Sequence, residues 1–295
     1  MRILITGASG FVGSHLGKHL SRDHDVLGIV FRNQRCLPFP NESIDLTAGK
    51  AVTALLQDFK PHVIVHAAAM SRVIECEDHP EQAALANVAV TESLALAAKT
   101  LRARLIFLSS DQVFSGKKGG YRESHIPDPV NVYGRTKLEA ENAVIASGVV
   151  SLIVRSNSLV GPSIGWGDSF TDMIVRKLRA GEAVTLFEDQ YRSPIHIRTM
   201  VRIVEAVCVL GLSGLIHAGG PRRISRLDTG YAVARAYALS PEGITAVGYR
   251  SHPRADVLTA DNSYDISHLR QLLPFIEMRP LDEELAEDAI TSRKP

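Results

Sequence analysis

The sequence predicts an α/β protein: a doubly wound parallel sheet with a smaller C-terminal lobe. Three observations predict it. Short, continuous apolar runs alternate with helical stretches through the first half of the chain. Such runs mark strands buried on both faces, which are parallel strands connected by helices. A glycine-rich turn follows the first run, and after Ser156 the alternation loosens and Gly, Pro and Arg become frequent.

The elements follow in order. "RILIT" (Arg2–Thr6) is the first strand and Phe11 to Ser21 the first helix. "DVLGIVF" is the second strand, and "SIDLT" holds a short third one near Asp45. Helical pattern runs from Ala51 to Phe59. "HVIVHAA" reads as a fully buried strand, and Pro80 opens an Ala-rich helix to about Lys99. "RLIFLSS" is another buried strand, followed by a helix from about Asn131 to Ser147 and the strand "SLIVRS". Beyond these, the pattern supports a helix at Phe170 to Ala180 and a strand at Ala183 to Phe187. A helix at Thr199 to Leu210 and a strand at "GLIHAGG" would add to the sheet. The tail after about Glu287 is expected to fray.

Composition narrows the function classes. The chain has 295 residues, 45% apolar and 22% charged, enough to bury a sizeable core. A formal net charge of +1 makes no case for nucleic acid or an acidic membrane surface. Cys36, Cys76 and Cys208 form no CxxC pair and read as reduced thiols of a cytoplasmic protein. No signal-peptide core precedes Gly7, and no run reaches the ~18 apolar residues of a membrane span. The longest candidate, Ile203 to Leu212, contains Glu205 and reads as a buried helix. No His/Cys cluster has metal-ligand spacing.

"TGASGFVG" places Gly7, Gly10 and Gly13 between the first strand and the first helix. Gly7 permits a tight turn, Gly10 lets backbone approach a pyrophosphate, and Gly13 lets helix and strand pack closely. The helix N-terminus then offers free N–H groups and the positive dipole end to phosphates. The spacing is GxxGxxG rather than GxGxxG, yet its placement marks a Rossmann-type dinucleotide site. An acid ending the second strand would suit the ribose of NAD. The chain has "FRNQR" there, and Arg32 and Arg35 suit the 2′-phosphate of NADP, so NADP(H) is favoured over NAD(H). The division expected is a NAD(P)-binding domain at 1–155 plus about 190–218. A substrate-binding lobe would take about 156–189 plus 219–295.

Tyr133 and Lys137 lie four residues apart in "NVYGRTKLEAE", hence on one helix face. A lysine cation beside a phenol favours the phenolate and draws its pKa from about 10 towards neutral. Such a tyrosine can exchange a proton with a substrate oxygen.

With both motifs present, the chain resembles an extended short-chain dehydrogenase/reductase, and within that group the dTDP-4-dehydrorhamnose reductase family. Further markers are "PHVIVHAAAMS", "SSDQVFSG", "LIVRS", "EDQYRSP" and "HPRADVLTADNS". The family also includes a non-catalytic regulatory subunit of methionine adenosyltransferase. By matching position the resemblance implies a catalytic set of Ser110, Tyr133 and Lys137, with Lys137 also on the nicotinamide ribose. It implies that Gly7, Gly10, Phe11, Val12 and Gly13 cradle the pyrophosphate. Asp45 and Leu46 would flank the adenine, and Ala67, Ala68, Ala69 and Ser71 would line the nicotinamide side. Asn87 would support the strand ends at the cofactor site. In many relatives the helix from Pro80 and the Tyr133 helix form a dimer interface.

The substrate side departs from the family. Gln112 stands where reductases have tyrosine and dehydratases an acid–base glutamate; glutamine exchanges no proton, which argues against dehydration. Ser158 replaces a tryptophan that packs on the sugar, Ser169 an asparagine, and His252 an arginine. His196 and Arg254 are candidate substrate contacts, or else a satisfied loop histidine and a solvated arginine. Trp166, between two glycines, is either a mobile aromatic over the pocket or a surface residue. The implied activity is reduction of a keto-sugar, a nucleotide-linked 4-keto-6-deoxysugar, with NADPH. The alternatives are an epimerase or dehydrogenase that retains NAD(P), and a regulatory subunit.

Overall fold

The computed structural model describes residues 1–31, 37–165 and 167–291. Six strands open the chain: β1 (Arg2–Thr6), β2 (Asp25–Val30), β3 (Asn41–Ser43), β4 (Val63–His66), β5 (Arg104–Ser110) and β6 (Ser151–Ser156). With a seventh, Gly214–Ala218, they form one parallel sheet. Its order is Gly214–Ala218, β6, β5, β4, β1, β2, β3. The order reverses between β1 and β4, and such a switch point opens a crevice at the strands' carboxyl ends. The fold is therefore the doubly wound Rossmann type. The third strand ends on Ser43, the first residue of "SIDLT", and Asp45 stands in the turn after it.

Helices cover both faces. They are α1 (Phe11–Leu20), α2 (Gly49–Phe59), α3 (Val73–Asp78), α4 (Pro80–Ala84), α5 (Val90–Leu101) and α6 (Val132–Ser147). Then come α7 (Phe170–Arg179), α8 (Ile197–Leu210), α9 (Arg226–Ala236), α10 (Ser267–Leu272) and α11 (Leu281–Thr291). α4 and α5 are the single helix expected from Pro80, interrupted by a π turn at Leu85–Ala89. One core joins α1, α8 and α10 to the sheet through Leu16, Ile203 and Leu269. The other joins α2, α5 and α6 through Leu56, Leu94 and Val144. A third belongs to the lobe, where Ile174, Leu186, Val233 and Leu285 meet.

Two sequence expectations are corrected here, and two elements of the lobe are new. Residues 219–295 were expected in the lobe, yet Leu269, Leu273 and Ile276 bury into the sheet's core. The chain stays helical past Glu287, and residues 292–295 lie outside the described residues. α11 continues to Thr291, with Ala289 buried and the Asp288 carboxylate against His196. In the lobe, α9 and a strand at Ile244–Val247, parallel to Val184–Phe187, were not anticipated.

Candidate functional site

Backbone builds the first part of the site. Gly7 leaves β1 with φ +66°, in the left-handed region that glycine enters without strain. A Cβ there would lie 2.8 Å from Ala68 Cα, so the loops after β1 and β4 are pressed together at the switch point. Gly13 packs on the same turn, a Cβ there falling 2.2 Å from Gly7 O. Gly10 begins α1 with no side chain capping it, so the first N–H groups of α1, from Phe11 to Gly13, face the turn. This concave, glycine-made cradle fits a dinucleotide pyrophosphate. The backbone of Gly165 borders it: a Cβ there would be 2.6 Å from Ser9 O. Ala67, Ala68 and Ala69 follow β4 at the switch point. Arg32, Arg35 and Trp166 lie outside the described residues.

Asp45 accepts from the Thr47 N–H at 2.9 Å and hydroxyl at 2.7 Å, and Leu46 packs on the adjacent core. Asn87 is buried, and its amide is committed to Met70 N (2.8 Å), Met70 O (3.0 Å) and the Thr136 hydroxyl (3.0 Å). It braces the loop after β4 rather than facing the crevice.

The second part is a cleft of about 310 Å³ at the carboxyl edge of β5 and β6. Ser71, Ser110, Gln112, Tyr133 and Ser158 all line it. Ser110 ends β5 and caps the next turn, its Oγ accepting from Gln112 N at 3.2 Å. Asn131 caps α6, accepting from Gly134 N at 2.7 Å. It also donates to Gln112 Oε1 (3.2 Å) and Val257 O (3.0 Å). A Cβ on Gly134 would sit 2.0 Å from Gln112 O, so only glycine lets α6 approach this closely. That approach sets Tyr133 beside Ser110. Tyr133, Lys137 and Glu141 follow at i, i+4 and i+8, one stripe of α6.

The electrostatics differ from the expectation for the Tyr/Lys pair. Burial pushes the Tyr133 phenol up, and hydrogen bonding with Ser110 offsets this only in part. Lys137 does not reach forward: its Nζ donates to Leu108 O at 2.7 Å and lies 4.0 Å from the Phe107 ring centroid. Desolvation lowers its pKa to about 7, against the raising effect of Glu141. The lysine thus secures β5 to α6 instead of drawing the phenol towards neutral. Glu141 itself accepts from Arg155 (2.9 and 2.7 Å) and Ser109 (2.5 Å), a buried network directly behind the cleft.

The two candidate substrate contacts are both engaged elsewhere. His196 is fully buried as the N-cap of α8, with Nε2 2.6 Å from Asp288. It joins α8 to α11 and does not line the cleft. Arg254 pairs with Asp78 at 2.9 Å, tying the Ala255–Val257 turn to α3. Sequence reasoning had passed over Asp111, Arg192, Arg226 and Thr259, which line the cleft. Arg192 lay within the quoted "EDQYRSP". Arg226 directly follows Ser225, whose capping box with Asp228 is visible as "SRLD" and announces α9.

Among the described residues, no group of His, Cys, Asp and Glu could hold a metal, and no helix is long and apolar enough to cross a membrane.

A family model described as the RmlD substrate binding domain matches residues 1–286. Methionine adenosyltransferase 2 subunit beta of Xenopus laevis is 34% identical over 250 residues, 81% of this chain and 72% of that protein. Two solved dTDP-4-dehydrorhamnose reductases superpose over nearly the whole chain. The one from Clostridium acetobutylicum has TM-score 0.87 and 25% identity, covering 100% of both chains. The one from Yersinia enterocolitica has TM-score 0.85 and 27% identity, covering 98% of this chain and 99% of that one.

Proposed function

From the premise that this chain belongs to the RmlD substrate binding domain family, we propose that it reduces a keto-sugar with NADPH. The sugar is a nucleotide-linked 4-keto-6-deoxysugar. The observation that carries the reading is the meeting of Tyr133 and Ser110 in one cleft at the carboxyl edge of the sheet. There the Gly7 turn and the Ala67–Ala69 loop offer a dinucleotide crevice at the switch point.

When bound, the nicotinamide supplies the hydride. Gly10, Phe11, Val12 and Gly13 would hold the pyrophosphate, Asp45 and Leu46 the adenine end, and Ala67 to Ala69 with Ser71 the nicotinamide end. Arg32 and Arg35 would select the 2′-phosphate. The Ser110 hydroxyl holds the substrate oxygen, and Tyr133 delivers a proton to it. A phenol pushed up by burial stays protonated at neutral pH, which suits a proton donor. Lys137 keeps the end of β5, and so Ser110, in register with α6. Gln112 orients substrate by hydrogen bonds and moves no proton.

The experiment is NADPH oxidation against dTDP-, GDP-, UDP- and CDP-linked 4-keto sugars, repeated with NADH and with Tyr133→Phe. One NADPH consumed per product supports reduction, whereas conversion with no net consumption points to an epimerase. Absence of oxidation by every carbonyl sinks the reading. A second reading has an observation of its own: the 34% identical relative is named as a subunit of methionine adenosyltransferase. On that reading the chain binds NADP and a partner enzyme without turnover. A stoichiometric partner recovered alongside a catalytically silent chain would favour it. Self-association through α5 and α6 is part of the proposal, and a light-scattering mass near 32.1 kDa excludes it.

A further inference from the structure

Two arginines line the cleft, and they are held very differently. Arg192 is buried and fully engaged. Its Nε lies 3.1 Å from Asp111 Oδ2, and its two terminal nitrogens donate to Tyr191 O, Thr259 O and Thr259 Oγ1. Arg226 has no such company. Its guanidinium stacks on the Phe170 ring, 4.4 Å from the centroid. Among the described residues, none of the ion pairs includes it. It lines both the cleft of Tyr133 and the adjoining hollow formed with Ser158, Leu159 and Thr229.

The position of Arg226 is electrostatically unfavourable in three ways. It is half-buried. It is the first residue of α9, at the positive end of the helix dipole. It also stands near the Arg192 cation; burial first, and Arg192 second, hold its pKa down to about 10. The charged residues lining the cleft are Arg192, Arg226 and Asp111, two positive and one negative, which leaves a net +1. An anion bound there would relieve all three disadvantages at once. The guanidinium fork suits a compact oxyanion, either phosphate or carboxylate, and the Ser158 side chain in the same hollow adds a hydroxyl donor.

We propose that Arg226 recognises an oxyanion of the substrate, a phosphate or a carboxylate, held in the same cleft as the Tyr133 hydroxyl. The word substrate rests on the reductase reading; the anion site itself is testable without turnover. The test titrates dTDP, galacturonate and neutral galactose calorimetrically into the whole chain, Arg226→Gln and Arg226→Lys. One of the two anions is expected to bind the natural chain more tightly than galactose does. Arg226→Gln is expected to weaken it about 10- to 100-fold, the loss of a charge-assisted hydrogen bond. Arg226→Lys keeps the point charge without the fork, so an intermediate loss is expected. Loss for dTDP alone assigns a phosphate, and loss for galacturonate alone a carboxylate.

Equal affinity of the natural chain and Arg226→Gln for both anions overturns the proposal. So does binding of neither anion more tightly than galactose. Should Arg226→Gln melt far below the natural chain, Arg226→Lys decides, and unchanged affinity there overturns it equally. Anion binding that depends on Arg226, with no NADPH turnover, defeats the reductase reading and leaves this site standing. Turnover without that dependence does the reverse.

Discussion

The two halves of the site are made of different materials. The crevice at the switch point is backbone: Gly7 against Ala68, Gly13 against Gly7, and the open end of α1. The cleft beside it depends on side-chain charge: Asp111 with Arg192 and the half-buried Arg226 line it, and Lys137 and Glu141 with Arg155 are buried behind it. Backbone surfaces suit a ligand common to many proteins, since they read shape and phosphate alone. Buried charges specify one ligand, because each left unpaired is penalised by several kcal/mol. The crevice should therefore tolerate change in surrounding side chains, and the cleft should not.

The largest expected effect tests the cleft's chemistry. Tyr133→Phe keeps the ring and removes the proton. With an accepted keto-sugar, kcat should fall by about 10²- to 10⁴-fold, the usual worth of a positioned general acid. NADPH affinity, measured by fluorescence titration, should hardly change if crevice and cleft are separate. A parallel loss of both would join them into one unit.

Next comes the network behind the cleft. Glu141→Ala leaves Arg155 buried without its carboxylate. Denaturant unfolding should show a loss of about 3–5 kcal/mol. A smaller loss would mean that water reaches Arg155 and that the cleft's floor is not dry.

Gly134→Ala probes the seam between the halves. The added Cβ, 2.0 Å from Gln112 O, must push α6 from the Asp111–Val113 turn. Overpacking of this kind costs about 1–3 kcal/mol. Tyr133 would shift with the helix, and a misplacement of about 1 Å lowers turnover by roughly 10²-fold. Normal turnover in a folded Gly134→Ala chain would show that the seam does not position the tyrosine.

The same contrast explains what the sequence disclosed. The crevice was legible because "TGASGFVG" must sit between a strand and a helix, and the strand positions follow from apolar runs alone. Ser110, Tyr133, Gln112 and Ser158 were legible through motif positions, and the structure gathers them around one cleft. His196 could not be decided from sequence because a histidine in "SPIHIR" carries no mark of its partner, Asp288, 92 residues away. Arg226 was missed because its meaning depends on long-range packing against Phe170 and Arg192. The Tyr/Lys spacing correctly put both on one face. It could not foretell that Lys137 would turn to Leu108 O.

That lysine is buried behind the cleft, and its protonation gives the finest test, because its effect is graded by pH. Its folded pKa is about 7, depressed by burial from an ordinary 10.5. Below pH 7 both folded and unfolded chains carry the proton, so the penalty of burying the cation is fully present. Between about 7 and 10.5 the unfolded chain keeps the proton and the folded chain releases it. Stability therefore rises with pH through that window, by at most about 1.4 kcal/mol per pH unit. Lys137→Met removes the titration while filling similar space. Measured by urea unfolding at pH 7, 8 and 9 without cofactor, the variant should gain most over the natural chain at pH 7, and its margin should shrink as pH rises. A margin independent of pH would mean that Lys137 keeps its proton throughout, held by Glu141. The cleft would then present a permanent cation behind Tyr133, and the phenol would be biased towards giving up its proton in the way the four-residue spacing first suggested.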